Sequence, residues 1–282
     1  MQSSRVLIAA GMAVVLWFGQ AGLGAQPITG SASSDVPQEP EELVRSVVAK
    51  VFTISNVPQE QDNPRTDDFD ERQENVVATC FFARKDLIVT ARHILTRFVY
   101  PRHLQVLRIR NTKMIYSTAL PPVTNDLALE QDFEICDHKN YDLALLRLKP
   151  TAKYYRQLTA AWRSFVLPIE TGDTSPVEIG VPVALVGYAG STTKRSPVFV
   201  FGHLGGYEHG KAGPVIRYIF DRGLQGGFSG GPVISRRTGK VVAVTRHGRG
   251  DGGASFTWGA SNIALIGFIQ AHYPDFRPAQ EP

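Results

Sequence analysis

From Val76 onward, apolar residues come in short runs of β-branched and aromatic side chains, each closed by turn formers or charges. The runs Val76–Ala83, Leu87–Ala91, Leu104–Ile109, Lys113–Ser117, Asp132–Cys136 and Leu143–Leu148 predict a first group of strands. A second group is predicted at Pro182–Tyr188, Pro197–His203, Pro214–Phe220, Pro232–Ser235, Val241–Thr245 and Ser255–Ala260. Short strands at this spacing, in two successive sets, suggest antiparallel sheets closed into barrels. The last periodic stretch differs. Ser261 or Asn262 is placed to cap a helix, with Ile263, Ile266 and Ile269 on one face. The expected fold is therefore all-β: two six-stranded antiparallel β-barrels and a short C-terminal helix.

The N-terminal region follows another pattern. Arg5 precedes an apolar run from Val6 to Phe18, and Gly22-Leu23-Gly24-Ala25 supplies small residues for cleavage. This is the pattern of a secretory signal peptide over residues 1–25. An uncleaved anchor is the alternative, because Val6 to Ala25 is just long enough to span a bilayer. Residues 26–43, rich in serine, proline and acidic groups, read as a flexible linker. Within Glu41 to Val57 the valines place a first strand at Ser46–Ile54. Residues 44–150 are then assigned to a first barrel, with the acidic stretch from Pro58 to Asn75 as a surface loop. A connector covers 151–180, the second barrel and its helix 181–273, and a tail 274–282. The expected location is periplasmic or secreted. Membrane contact is expected only through the N-terminal segment, if it is retained.

Composition narrows the function classes. A formal charge of +4 in 282 residues is mild, and no polybasic run with interleaved aromatics occurs, so nucleic acid is not an expected partner. The seven histidines are dispersed and none pairs with a cysteine at ligand spacing, so neither metal nor cofactor is expected. Export permits a disulfide between the two cysteines, Cys80 and Cys136; two separate buried thiols are the favoured reading.

Three segments carry chemistry. In Gly226-Gly227-Phe228-Ser229-Gly230-Gly231-Pro232 a serine sits among glycines, which let backbone N–H groups turn inward and a substrate carbonyl approach. A serine hydroxyl becomes nucleophilic only with a base to take its proton and donors to stabilise the oxyanion. Upstream, Asp86-Leu87-Ile88-Val89-Thr90-Ala91-Arg92-His93 runs a β-branched strand into a histidine, and Tyr141-Asp142-Leu143-Ala144-Leu145-Leu146 opens a strand with an aspartate. Asp126 begins the same Asp-Leu-Ala-Leu sequence, but its apolar run stops at Glu130-Gln131-Asp132. Asp142 is therefore preferred, and Asp126 reads as a solvated carboxylate.

With histidine, aspartate and serine in that order, these motifs resemble the trypsin-like serine peptidases. The resemblance runs from about Val44 to Tyr273 and looks nearest the bacterial HtrA-related branch; the residues after Ser229 leave no room for that branch's PDZ domain. It implies a serine endopeptidase with the triad His93, Asp142 and Ser229, and an oxyanion hole of the Gly227 and Ser229 N–H groups. It also implies a substrate pocket near Gly223, Leu224, Gln225, Thr245, Arg246 and His247, with protein or peptide substrates bound as an added β-strand along Val244–Gly248. Arg246 or His247 at the pocket would favour an acidic substrate side chain, but outward-facing, solvated residues are the favoured reading. Arg92 replaces an alanine usual in the family. Phe228 replaces the aspartate that, in animal relatives, pairs with an N-terminus freed by activation. Without it, no such activation is expected. The competing reading is a catalytically silent relative that binds extended peptides.

Overall fold

The first described element is a helix, and the expected strand Ser46–Ile54 begins only at Val51. The computed structural model describes residues 39–58, 77–96, 105–110, 126–152, 154–171, 177–189, 197–209, 215–224, 226–246, 249–251 and 254–278. The signal segment, the acidic loop after Pro58 and the Lys113–Ser117 strand lie outside them. Helix α1 (Pro40–Val47) occupies part of the sequence assigned to linker and first strand. Proline is tolerated in a first turn because its missing N–H would be unpaired there anyway, and Glu41 and Glu42 complement the positive end of the helix. Leu43 and Val47, four apart, bury one face completely or nearly so. Each such burial stabilises by about 1.5–3 kcal/mol, which outweighs the β preference of the valines.

The first sheet comprises β1 (Val51–Pro58), β2 (Val77–Arg84), β3 (Leu87–Ala91), β4 (Gln105–Arg110), β5 (Asp126–Ala128), β6 (Phe133–His138) and β7 (Leu143–Leu148). Their spatial order is β5-β4-β1-β2-β3-β7-β6, antiparallel throughout. Among the described residues this sheet has seven strands, one of which, β5, was not foreseen. A helical turn, Leu129–Asp132, links β5 to β6, and Asp132 steadies it by accepting the Ala128 N–H.

The second sheet comprises β8 (Pro182–Gly187), β9 (Val198–His209), β10 (Val215–Phe220), β11 (Pro232–Ser235), β12 (Val241–Thr245), β13 (Arg249–Asp251) and β14 (Ala254–Ser261). Six of these run in the order β10-β9-β8-β11-β12-β14, and β10 pairs again with β14 to close a barrel. The short β13 is appended to β14.

Side-chain alternation builds three layers from two sheets. Phe82, Ile88, Ala144 and Leu146 point into the first sheet's own core with Phe52 and Trp162. Their neighbours Phe81, Val89, Leu143 and Leu145 point the other way, into a shared layer with Val186, Tyr188 and Val244 of the second sheet. The second barrel is filled by Val183, Leu185, Tyr218, Phe220 and Val233. Strands β3 and β7 are thus buried on both faces.

The 151–180 stretch holds helix α2 (Tyr155–Trp162) and touches both sheets, through bridges Phe82–Val166 and Ile169–Val241. The last element, helix α3 (Asn262–His272), has Ser261 as its cap, accepting the Ala264 N–H at 3.1 Å. Its buried face is Ala264, Leu265, Phe268 and Ile269, so of the expected isoleucine row only Ile269 is fully buried, because the stripe that meets the shared layer repeats as adjacent pairs four apart. Ile263 and Ile266 lie at its margin. No described helix is long and apolar enough to cross a membrane. Both cysteines are free thiols: Cys80 is buried, with its pKa pushed up by that burial, and Cys136 is only half-buried.

Candidate active site

His93 follows β3 directly and opens a single helical turn, His93–Thr96. Asp142 ends the tight turn between β6 and β7, where its N–H donates to the Lys139 carbonyl at 3.3 Å. Its backbone is left-handed, with φ of +55°, a conformation aspartate adopts more readily than most residues. Because β7 pairs with β3 in the register Ala91–Leu143, the residues just beyond meet: the Arg92 N–H donates to the Asp142 carbonyl at 2.9 Å. The carboxylate then grips the histidine twice. Oδ1 accepts the His93 backbone N–H at 3.0 Å and Oδ2 meets Nδ1 at 2.7 Å. An ionised carboxylate only accepts, so Nδ1 carries the proton and Nε2 is left as the basic nitrogen.

Two further contacts brace this pair. Arg92 Nε reaches Asp137 Oδ1 at 2.7 Å, tying the histidine turn to the end of β6. Arg246 Nε lies 3.6 Å from Asp142 Oδ2, and this pair joins the second sheet to the first. The rejected carboxylate, Asp126, opens β5 opposite Arg108, at the edge of the sheet remote from β3 and β7.

Ser229 sits in the turn that leads into β11 and is 7 % exposed. The glycines around it answer to geometry. Gly227 has φ of +99° and Gly230 φ of +83°, both costly for any residue with a Cβ. A Cβ on Gly230 would also lie 2.4 Å from the Thr79 carbonyl oxygen and 2.5 Å from the Ala91 N. The serine loop is therefore pressed against β2 and the last residue of β3, two positions before His93. No hydrogen bond joins the Ser229 hydroxyl to the imidazole among the described residues. In unliganded hydrolases this contact often tightens only with substrate. Neither the Gly227 nor the Ser229 N–H has an acceptor among the described residues.

The residues expected to line a pocket divide. Gly223 and Leu224 follow β10, and Leu224 packs against the second barrel's core. Gln225 and His247 lie outside the described residues. Thr245 turns inward at 1 % exposure, and its hydroxyl reaches the Phe228 and Gly231 carbonyls, so it braces the serine loop. Arg246, expected to face solvent, instead reaches across to Asp142. The expected substrate edge also needs correction. Val244 pairs with both Pro232 and Ala260, so β12 is an interior strand up to that point. Past Thr245, pairing among the described residues continues on the β14 side, where the Arg246 N–H donates to the Trp258 carbonyl.

Sequence reasoning missed Thr79. Its N–H donates to the Ser229 carbonyl at 2.9 Å, its hydroxyl to the Gly227 carbonyl at 2.7 Å, and its carbonyl accepts the Thr90 hydroxyl. A threonine in the middle of a strand gives no signal of such a task. Only its exclusion of water, visible in three dimensions, reveals it.

A closed barrel packed with a second antiparallel sheet is the fold of a double-barrel peptidase, and it carries a carboxylate-held histidine on one sheet and a glycine-flanked serine on the other. The sequence matches the trypsin-like peptidase domain over residues 78–244, well over half its length, and the chain belongs to that family. It is a trypsin-like serine peptidase. Among solved structures it is similar to the active form of the Rv3671c protease from M. tuberculosis, at 14% identity and TM-score 0.53, covering 93% of this chain and 96% of that one. An inactive form of the Rv3671c protease aligns at 14% identity and TM-score 0.48, over 84% of this chain and 97% of that one. At such identity the likeness speaks for the fold alone. No curated protein matches the sequence.

Proposed function

We propose that this peptidase is an exported endopeptidase that cuts peptide bonds through an acyl-enzyme on Ser229. The observation that carries the reading is the double grip of Asp142 on His93, which leaves Nε2 as a free base beside the serine loop. In this scheme Nε2 takes the Ser229 proton as the hydroxyl attacks the substrate carbonyl. The imidazolium then returns that proton to the leaving amine, and water repeats the sequence to release the acid. Asp142 keeps the ring oriented and stabilises its charge without accepting the proton. The N–H groups of Gly227 and Ser229, which donate to no described residue, receive the oxyanion; loss of one such donor costs about 3–4 kcal/mol of barrier.

The substrate binds as an added strand beyond Thr245, where the chain leaves β11 behind. Gly223 puts no acidic side chain at the pocket base, which argues against lysine or arginine at the cut. Phe228 is 3 % exposed and packed inward, an arrangement that needs no ion pair to a newly made N-terminus. The enzyme is accordingly active without a switching cleavage. Export rests on the N-terminal pattern of Arg5 and the Val6–Phe18 run.

Cleavage-site profiling on a peptide library tests the reading, with Ser229→Ala as control. Cleavage by the parent protein and about a 10⁶-fold loss of kcat in a folded variant are expected. Equal cleavage by Ser229→Ala would remove the nucleophile assignment. A parent protein that binds peptides without cutting them would favour the silent relative instead.

A further inference from the structure

Thr79 is fully buried and belongs to the first sheet, yet two of its hydrogen bonds end on the loop that carries the nucleophile in the second. Its hydroxyl both accepts and donates: it accepts the Tyr188 N–H at 3.0 Å and donates to the Gly227 carbonyl at 2.7 Å. Its own N–H holds the Ser229 carbonyl at 2.9 Å. Between these two anchors lies the Phe228–Ser229 peptide, whose carbonyl is held by Thr245 and by the Gly231 N–H. A trans peptide points its N–H opposite its C=O. Holding the Phe228 carbonyl inward therefore aims the Ser229 N–H the other way, unpaired. Gly227 is the softer point, because a glycine at positive φ resists rotation only weakly. Its N–H lies on the Gly226–Gly227 peptide, so with the Gly227 carbonyl fastened that N–H turns away only if the preceding peptide rotates against a held partner on its C-terminal side.

We propose that Thr79 is a positioning residue whose hydroxyl holds the Gly227 side of the oxyanion hole in its donating orientation. This rests on the acyl-enzyme reading of Ser229. Thr90 secures Thr79 in turn, through its hydroxyl bond to the Thr79 carbonyl at 2.9 Å. The serine loop is thus oriented by a residue of the opposite sheet, so pre-organisation of the hole depends on how the two units dock.

The test compares Thr79→Val, which keeps shape and removes the hydroxyl, with Thr79→Ser, which restores it. Each is assayed for kcat, KM, thermal unfolding and inhibition by a peptide aldehyde, whose adduct places an oxygen anion in the hole. Expected is about a tenfold or greater fall in kcat and aldehyde affinity for Thr79→Val. KM should stay within about twofold, and the serine variant should recover both losses. A folded Thr79→Val with unchanged kcat and aldehyde affinity overturns the proposal, as does a loss confined to KM or one that serine fails to repair. If the valine variant does not fold, Thr79→Cys, with a weaker donor of similar size, is read by the same criteria. Fluorophosphonate labelling of Ser229 in the parent protein separates the two levels. Absence of labelling there sinks the acyl-enzyme reading itself, whereas labelling with an indifferent Thr79 sinks only this role.

Discussion

The two sheets prepare their parts of the site by different means. In the first, orientation comes from charge: Asp142 holds His93 through a 2.7 Å contact and a 3.0 Å backbone bond, both internal to that sheet. In the second, it comes from backbone shape. Ser229 is set by glycines at φ of +99° and +83° and by threonine hydroxyls holding carbonyls on either side. A charged carboxylate fixes a ring that must change protonation state during the reaction. A network of neutral bonds fixes dipoles that must stay still. The contrast predicts that damage to the first sheet's pair acts on rate at little cost to folding, whereas damage to the second's loop acts on folding as well.

The largest expected effect tests the charged side. Asp142→Asn keeps the shape but holds the wrong imidazole tautomer, and should lower kcat about 10⁴-fold with the unfolding midpoint nearly unchanged. A small kcat loss joined to a large stability loss would reverse the assignment of means. Next comes the shape-based side. Gly230→Ala should destabilise the fold by about 4 kcal/mol, because its Cβ meets rigid backbone of β2 and β3 and its φ is positive. Urea titration reads this directly, and a loss below about 1 kcal/mol would show that the loop yields easily.

How much of this was legible from sequence follows the same division. His93, Asp142 and Ser229 stood out because charge and glycine chemistry are local: each motif carries its own strand or turn context. Asp142 was separable from Asp126 because the apolar run after it continues through Leu148, and the structure puts that run beside β3. Helix α1 was hidden because Val47, Val48 and Val51 suggest a strand, while the face that matters, Leu43 with Val47, becomes meaningful only against the shared core. Arg246 escaped a reading by strand alternation because β12 ends at Thr245, and its side chain reaches Asp142 instead. The bracing by Thr79 and Thr245 was invisible for another reason. Its partners are backbone atoms distant in the chain, and any residue supplies those.

The smallest predicted effect concerns the turn that presents Asp142. His138 stacks on Tyr141 at 4.0 Å, and its pKa is lowered from the ordinary 6.5 by burial and by nearby His272, against the opposing pull of Asp137. A folded-state pKa below the unfolded one means the unfolded chain binds the proton first. Stability is therefore whole above about pH 6.5 and falls as the pH drops through the folded value. His138→Gln should flatten that acid limb slightly in thermal unfolding followed from pH 7.5 to 5. An unchanged slope would remove His138 from the account.

The central claim is that residues from two separate sheets act as a single reacting unit. The most direct measurement is the rate of fluorophosphonate attachment, with the modified residue identified by mass spectrometry. It is made on the parent protein, on His93→Ala, on Asp142→Asn and on the double variant. The account predicts attachment at Ser229, a loss of orders of magnitude in each single variant, and a double variant no slower than His93→Ala alone. Attachment elsewhere, or losses that multiply in the double variant, would contradict it.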